Sequence, residues 1–401
     1  MLRAWEIAEE LAEGIGPRRP TSSAEARAAH AVARRLRTRG IQVSLEPIAG
    51  TSTFAAPLGL MVVGGLALSG SRGPRNARTG PRGSRRAAAR RLWARRLLGS
   101  GLALAASAEA RLVRTPVSDL CSRKPSQNLV ARVPARGRGR RTVCLVGHLD
   151  SSRSGLLFHP RISGRLEAWF RLQGAALGVC ALSPWLPPTR ATRAVVLAAQ
   201  AVLAAGIVLL AERELCGADV PGANDNASGS AVATQLVAEV HARPLEGSNV
   251  VLLLTGCEEA GLMGVQQFLR SRDTRGWVFV NFDGVGAPGT LRYLAREGFG
   301  PSWQADRLLA GALEAIARQR PELGLRAQPR NAGLTYDATP ILARGGRAVT
   351  LSVQNGTIPN YHRPTDTMAN LDPAALDRAL TVGRHMLAAI ERGEVDLPTG
   401  P

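Results

Sequence analysis

Val250-Val-Leu-Leu-Leu-Thr-Gly-Cys-Glu-Glu-Ala-Gly-Leu-Met-Gly264 decides how this chain folds. Its opening run is continuously apolar and too short for an ordinary helix, so it reads as a strand buried on both faces of a sheet. Two adjacent carboxylates, Glu258 and Glu259, follow at once, and Gly261 and Gly264 then lead into a helical pattern. Open α/β sheets build their sites at the C-terminal ends of such strands. Neighbouring glutamates on a turn point in different directions, so one can ligate a metal while the other handles a proton. Alone, the pair is equally an ordinary solvated turn; its meaning depends on the rest of the chain.

The 401 residues suit an α/β enzyme with insertions. Hydrophobic residues make up 45% but aromatics only 4%, so Ala, Leu and Val must fill the core. The formal charge is +20, and Lys124 is the single lysine. This arginine skew reads as compositional bias rather than a phosphate-binding surface, and no nucleic-acid partner is expected. Ten arginines and no acid fall within Ser71–Arg96, a Gly/Pro/Ser/Arg-rich stretch expected to be disordered or surface-bound. The five cysteines show no Cys-x-x-Cys pair, which argues against a structural zinc finger or a disulfide framework. No signal-peptide pattern follows Met1.

Along the chain, helical spacing runs from about Ala4 to Gly14 and from Ser22 to Arg39, with Ser22 or Ser23 as cap and Gly40 as stop. A strand pattern follows at Ile41–Pro47. Further strands are expected at Asn128–Val133, Thr142–Val146, Trp277–Phe282 and Ala348–Val353. Helices are expected up to about His241, near Trp303–Arg318 and over Pro373–Arg392. Four apolar segments interrupt this pattern: Phe54–Ser69, Leu97–Ala108, Leu172–Leu186 and Ala194–Ala211. The first two are short for a membrane span, which takes roughly 17–25 residues; the last is the best candidate.

Besides the glutamates, His148 with Asp150, Asp225, Asp283 and His362 each lie at a strand end or in a tight loop. Singly each has an ordinary explanation in capping or turn chemistry. Together they supply the imidazole and carboxylate groups that a pair of zinc ions needs.

The succession Gly147-His148-Leu149-Asp150-Ser151, Gly222-Ala223-Asn224-Asp225-Asn226-Ala227-Ser228-Gly229, Glu258 to Gly264, Asn281-Phe282-Asp283 and His362-Arg363-Pro364-Thr365-Asp366 resembles metallopeptidase family 28 in block order. That family comprises co-catalytic di-zinc aminopeptidases of the bacterial leucyl aminopeptidase type. The resemblance implies a three-layer αβα fold with a mixed central sheet and two Zn2+ per chain. It assigns His148 and Asp283 to one zinc, Glu259 and His362 to the other, and Asp225 as bridge. Glu258 becomes the general base, Asp150 the partner that orients His148, and the Asp225–Asn226 bond is expected to be cis.

The chain departs from the pattern by its two apolar insertions. We expect peptidase segments at 1–53, 113–165 and 213–401, with hydrophobic helical hairpins inserted at 54–112 and 166–212. The implied function is a membrane-tethered zinc exopeptidase acting on peptides, foremost an aminopeptidase. A carboxypeptidase, a glutaminyl cyclase or a non-catalytic binding domain are the alternatives. Membrane lipid is the expected partner of the hairpins, at a bacterial inner membrane. Short arginine-rich loops stay cytoplasmic, which would turn the catalytic domain to the extracytoplasmic side. Oligomeric state stays open.

Overall fold

The computed structural model describes residues 3–70, 82–298, 300–329, 333–354 and 357–395. In chain order its helices are α1 (Ala4–Glu9), α2 (Ser23–Arg37), α3 (Ala55–Gly70), α4 (Arg82–Arg111), α5 (Pro116–Cys121), α6 (Pro160–Ser163) and α7 (Leu166–Leu182). Then come α8 (Arg190–Cys216), α9 (Gly229–Ala242), α10 (Met263–Arg270), α11 (Arg307–Gln319), α12 (Ala338–Ala343) and α13 (Pro373–Glu391). The strands are β1 (Gln42–Gly50), β2 (Lys124–Val133), β3 (Arg141–His148), β4 (Ser248–Thr255), β5 (Trp277–Phe282), β6 (Leu291–Leu294), β7 (Arg296–Glu297), β8 (Trp303–Gln304), β9 (Arg326–Gln328) and β10 (Arg347–Val353).

Eight strands form one mixed sheet in the order β1-β2-β4-β3-β5-β10-β6-β9, and β7 pairs with β8 apart from it. The centre, β4-β3-β5-β10, is parallel, and antiparallel neighbours flank it. The apolar run of β4 behaves as a strand covered on both faces. Val250, Leu252 and Leu254 join the layer with α1, α2, α9, α11 and α13. Val251 and Leu253 turn to the layer with α10 and α12. Period-two alternation explains this division, and burying each such side chain stabilises the fold by roughly 1.5–3 kcal/mol. The architecture is therefore the three-layer αβα sandwich.

Local chemistry sets several boundaries. Ser22 caps α2 by accepting the Glu25 N–H, and Gly40 follows the helix at φ +78°. The helix expected from Trp303 starts instead at Arg307, because the Asp306 carboxylate accepts the N–H groups of Leu308 and Leu309 and Trp303–Gln304 pairs as β8.

Segments 54–112 and 166–212 pack against each other as a single cluster of four helices, α3, α4, α7 and α8, with α7 touching the other three. The Gln200 amide donates to Ser69 Oγ at 2.9 Å, and the Gln173 amide to the Val202 carbonyl at 2.7 Å. The Arg96 guanidinium lies 5.2 Å from the Trp93 ring centre and 4.7 Å from that of Trp185. Of the arginine-rich stretch, residues 71–81 lie outside the described residues. Arg82–Arg96 is helical, the first half of α4, where disorder or surface attachment was expected. Alanine and arginine are both good helix formers, so a run of charge does not prevent the turn. Among the described residues one helix, Arg190–Cys216, is long and apolar enough to cross a membrane.

Candidate functional site

Four of the expected residues stand at the C-terminal ends of parallel strands. His148 closes β3, Glu258 and Glu259 follow β4, and Asp283 follows β5. Asp225 comes from the irregular segment Ala223–Ser228, and His362 from the loop before α13. The structure brings all of them together. His148 Nε2 lies 3.1 Å from Asp225 Oδ1, 3.6 Å from Asp283 Oδ2 and 4.0 Å from Glu258 Oε2. His362 Nε2 lies 3.0 Å from Glu259 Oε2 and 3.3 Å from Asp225 Oδ2. His148, Asp225 and Asp283 thus form one set of donor atoms, and Asp225, Glu259 and His362 another, each within 4.8 Å. Asp225 belongs to both, through different oxygens.

Asp150 works through two groups. Its backbone carbonyl lies 3.0 Å from His148 Nδ1, so Nδ1–H donates there and Nε2 is left facing the carboxylates. Its carboxylate lies 3.7 Å from the same nitrogen but accepts the N–H groups of Glu258 at 3.1 Å and Glu259 at 2.9 Å. Asp150 therefore aims the two glutamates as well as the histidine. Their turn is bounded by Cys257 and Leu262, both in the left-handed region at φ 54° and 61°. Such non-glycine conformations persist where the surroundings enforce them.

Charge is crowded here. Burial, with Glu259, Asp337 and Asp283 nearby, pushes the Glu258 carboxyl well above its usual range despite the pull of His148. Asp283 is raised in the same way. Burial alone would lower His362, but Glu259 and Asp225 outweigh it and raise the imidazole to about 9. One oxygen of the buried Glu259, Oε1, has no hydrogen-bond partner. Two imidazoles, crowded buried carboxylates and an orphaned oxygen are what a cation would neutralise, and the nitrogen and oxygen donors suit zinc. The residues fit the metal.

Other supports had no assigned role in the sequence. The Asp366 carboxylate accepts the N–H groups of Asn224 at 2.7 Å and Asp225 at 3.0 Å, and burial raises it to about 7. The Asp225–Asn226 bond, unlike these, was expected to be cis from the resemblance, and it is. Asn224 Oδ1 accepts from Gly286 and Ala287, which holds the loop after Asp283. Gly222 precedes this segment at φ +61°, where a Cβ would meet Asp225 O and Ser151 Cβ. The fully buried Arg18 guanidinium donates to five carbonyls, those of Leu11, Gly16, Leu149, Pro221 and Gly222, and so ties the flanks of His148 and Asp225 together. Glu25 accepts the Cys257 N–H at 2.8 Å behind the glutamate turn. The Tyr361 ring stacks on His362, centroids 3.8 Å apart, and Phe158 meets His362 edge-on at 4.3 Å. Asp366 could have been found as the last residue of its motif block; Arg18 and Glu25 carry no local signal.

Residues 206–387 match Peptidase family M28. No curated protein matches the sequence. Among solved structures, a zinc aminopeptidase from Bacillus subtilis is similar at a TM-score of 0.55 and 14% identity, over 97% of this chain and 95% of that one. An aminopeptidase from Aneurinibacillus sp. strain AM-1 gives 0.53 and 15%, over 96% and 92%. A glutaminyl cyclase from Porphyromonas gingivalis gives 0.53 and 14%, over 97% of each chain. At such identities these likenesses establish the shared fold.

Proposed function

We infer, from a chain whose residues 206–387 belong to Peptidase family M28, that this zinc peptidase binds two metal ions and removes N-terminal residues from peptides. One observation carries the reading: two buried donor sets share Asp225, and the Glu258 carboxylate stands beside them with a tenth of its side chain exposed. His148 and Asp283 would hold one zinc, Glu259 and His362 the other, and Asp225 would serve both. When bound, zinc supplies Lewis acidity, which polarises a carbonyl oxygen and makes water more acidic. Glu258 accepts a proton at its carboxylate as water adds to the scissile carbonyl carbon. It returns that proton to the leaving amine nitrogen as the C–N bond breaks. Asp150 holds the glutamate turn and His148 in register during this transfer.

The helix cluster gives the membrane reading its support. Leu97, Leu98, Leu104 and Val208 present 68%, 65%, 72% and 65% of their surface outward, and α8 has the length and composition of a span. In this reading the inserted segments 54–112 and 166–212 tether the enzyme to a bacterial inner membrane, and the catalytic part faces the extracytoplasmic side.

Turnover of amino-acid p-nitroanilides by purified protein, compared with Glu258→Gln, tests the chemistry. The expected result is release of p-nitroaniline by the native chain and its loss in the variant. No release by the native chain, with release of ammonia from glutaminyl peptides instead, would transfer the site to cyclisation. Thiol-reagent access to a tag at residue 1 in intact cells tests the orientation: an accessible tag supports it, and a protected one reverses it.

A further inference from the structure

One cavity of about 550 Å³ runs from the metal-binding residues into the helix cluster. Glu258, Glu259, Tyr361 and His362 line one end. Beyond them the wall is apolar: Leu58 and Met61 of α3, Trp169 and Leu177 of α7, Leu209 of α8, and Phe158. Three polar side chains along that wall, Glu109, Ser118 and Gln173, already have protein partners. Glu109 accepts from the N–H groups of Val117 and Ser118, the Gln173 amide donates to Val202, and the Ser118 hydroxyl donates to Glu109. The space is therefore an amphiphile's mould, with ionisable groups at one end and hydrocarbon along the rest.

Two glycines of α7 keep it open. Gly174 and Gly178 are one helical turn apart and line the cavity, and a Cβ at either would meet no atom within 4 Å. Glycine inside a helix costs about 1 kcal/mol relative to alanine, and here packing gives no local return for that cost. At about 550 Å³ the space falls within the roughly 300–1,000 Å³ of ligand clefts, far more than one ordinary side chain fills.

Resting on the peptidase reading above, we propose that the residue released by this enzyme carries a long aliphatic chain. The chain lies in the cavity between α3, α7 and α8 while its carbonyl meets Glu258. The substrate class is a lipid-like amino acid or lipidated peptide, and the insertions that hold the enzyme at a membrane also build the pocket for its substrate.

The test is a series of α-aminoacyl p-nitroanilides with linear side chains, from 2-aminobutyryl to 2-aminodecanoyl. Calorimetric binding of butyrate and decanoate to the zinc-loaded Glu258→Gln protein runs beside it. Burial of each methylene predicts kcat/KM rising about threefold to fourfold per carbon until the cavity is filled. Decanoate is expected to bind at least about tenfold more tightly than butyrate on the same basis. Gly174→Leu and Gly178→Leu, made separately, place a branched side chain in the space and should each collapse the long-to-short ratio of kcat/KM. Turnover that is flat or falls with chain length overturns the proposal; tight decanoate binding beside flat turnover identifies a cavity that holds bilayer lipid instead. If no member of the series is turned over, the peptidase reading fails. The calorimetry then still decides, because equal binding of the two acids removes the long-chain preference as well.

Discussion

The ends of the central strands and the cluster of α3, α4, α7 and α8 meet at one cavity, yet they are built on opposite principles. At the strand ends polar groups are buried and closely bonded: Asp150, Asp366 and Asn224 each fix two backbone N–H groups, and Arg18 fixes five carbonyls. In the helix cluster few polar groups cross between helices, while large apolar side chains face outward. The first region holds its donor atoms through many hydrogen bonds, and proton transfer and metal binding demand placement to about 0.5 Å. The second offers surface and space. The joint between them is apolar where Leu166, Trp169 and Leu209 pack with Phe158, Tyr336 and Ile358, and polar beside it. Arg213 at the end of α8 donates to Ser152 Oγ at 3.2 Å, and Arg344 donates to the carbonyls of Leu112 and Val113 at the exit of α4.

Substitutions in the two regions should therefore differ in kind. The largest effect is expected at Glu258→Gln, which keeps zinc but lowers kcat by roughly 10²–10⁴, the scale of a lost general base. Glu259→Gln should instead lose zinc, and identical behaviour in both assays would break the division between the neighbours. Arg18→Met leaves five carbonyls short of a donor, those of Leu11, Leu149 and Gly222 in buried bonds, and should destabilise the fold by on the order of 3 kcal/mol or more, read from thermal or denaturant unfolding. An unchanged midpoint would mean that the strand ends are not held as described.

Asp150→Asn sets an amide against two N–H donors and should weaken zinc binding by roughly 10- to 100-fold in competition with a chelator. Zinc affinity equal to that of the native chain would take Asp150 out of the positioning role. The smallest effect belongs to the cluster. Leu97→Ser and Leu104→Ser should each shift stability in detergent by no more than about 0.5 kcal/mol, as surface changes do. The same pair should increase release from vesicles on carbonate washing. A large loss of stability with unchanged retention would mark those side chains as core.

What could be read from the sequence follows the same line. The β4 run was legible because a short, unbroken apolar stretch has few other uses, and its side chains do divide between two layers. The donor residues were legible because each sits at a strand end or in a tight loop within a motif block, and the structure brings His148, Asp225, Glu259, Asp283 and His362 together. Arg18 and Glu25 were not, since the bonds that tie them to the site reach backbone groups on remote segments, Leu149 and Cys257 among them. The short strands β6 and β9 at the sheet edge, and the short helix α12, lack the length for a periodic signal. The hairpins were read as two; that they form one cluster, and that the cluster walls the catalytic cavity, depends on tertiary packing alone.

The central claim is that His148, Asp225, Glu259, Asp283 and His362 form one bimetallic centre with Asp225 common to both halves. Elemental analysis of the purified chain beside Asp225→Ala tests it most directly. The native protein should carry about two zinc ions per chain, one for each set of three donors. Asp225→Ala should lose metal from both sets together. Full zinc occupancy in that variant, or a native chain that takes up no zinc, would contradict the account.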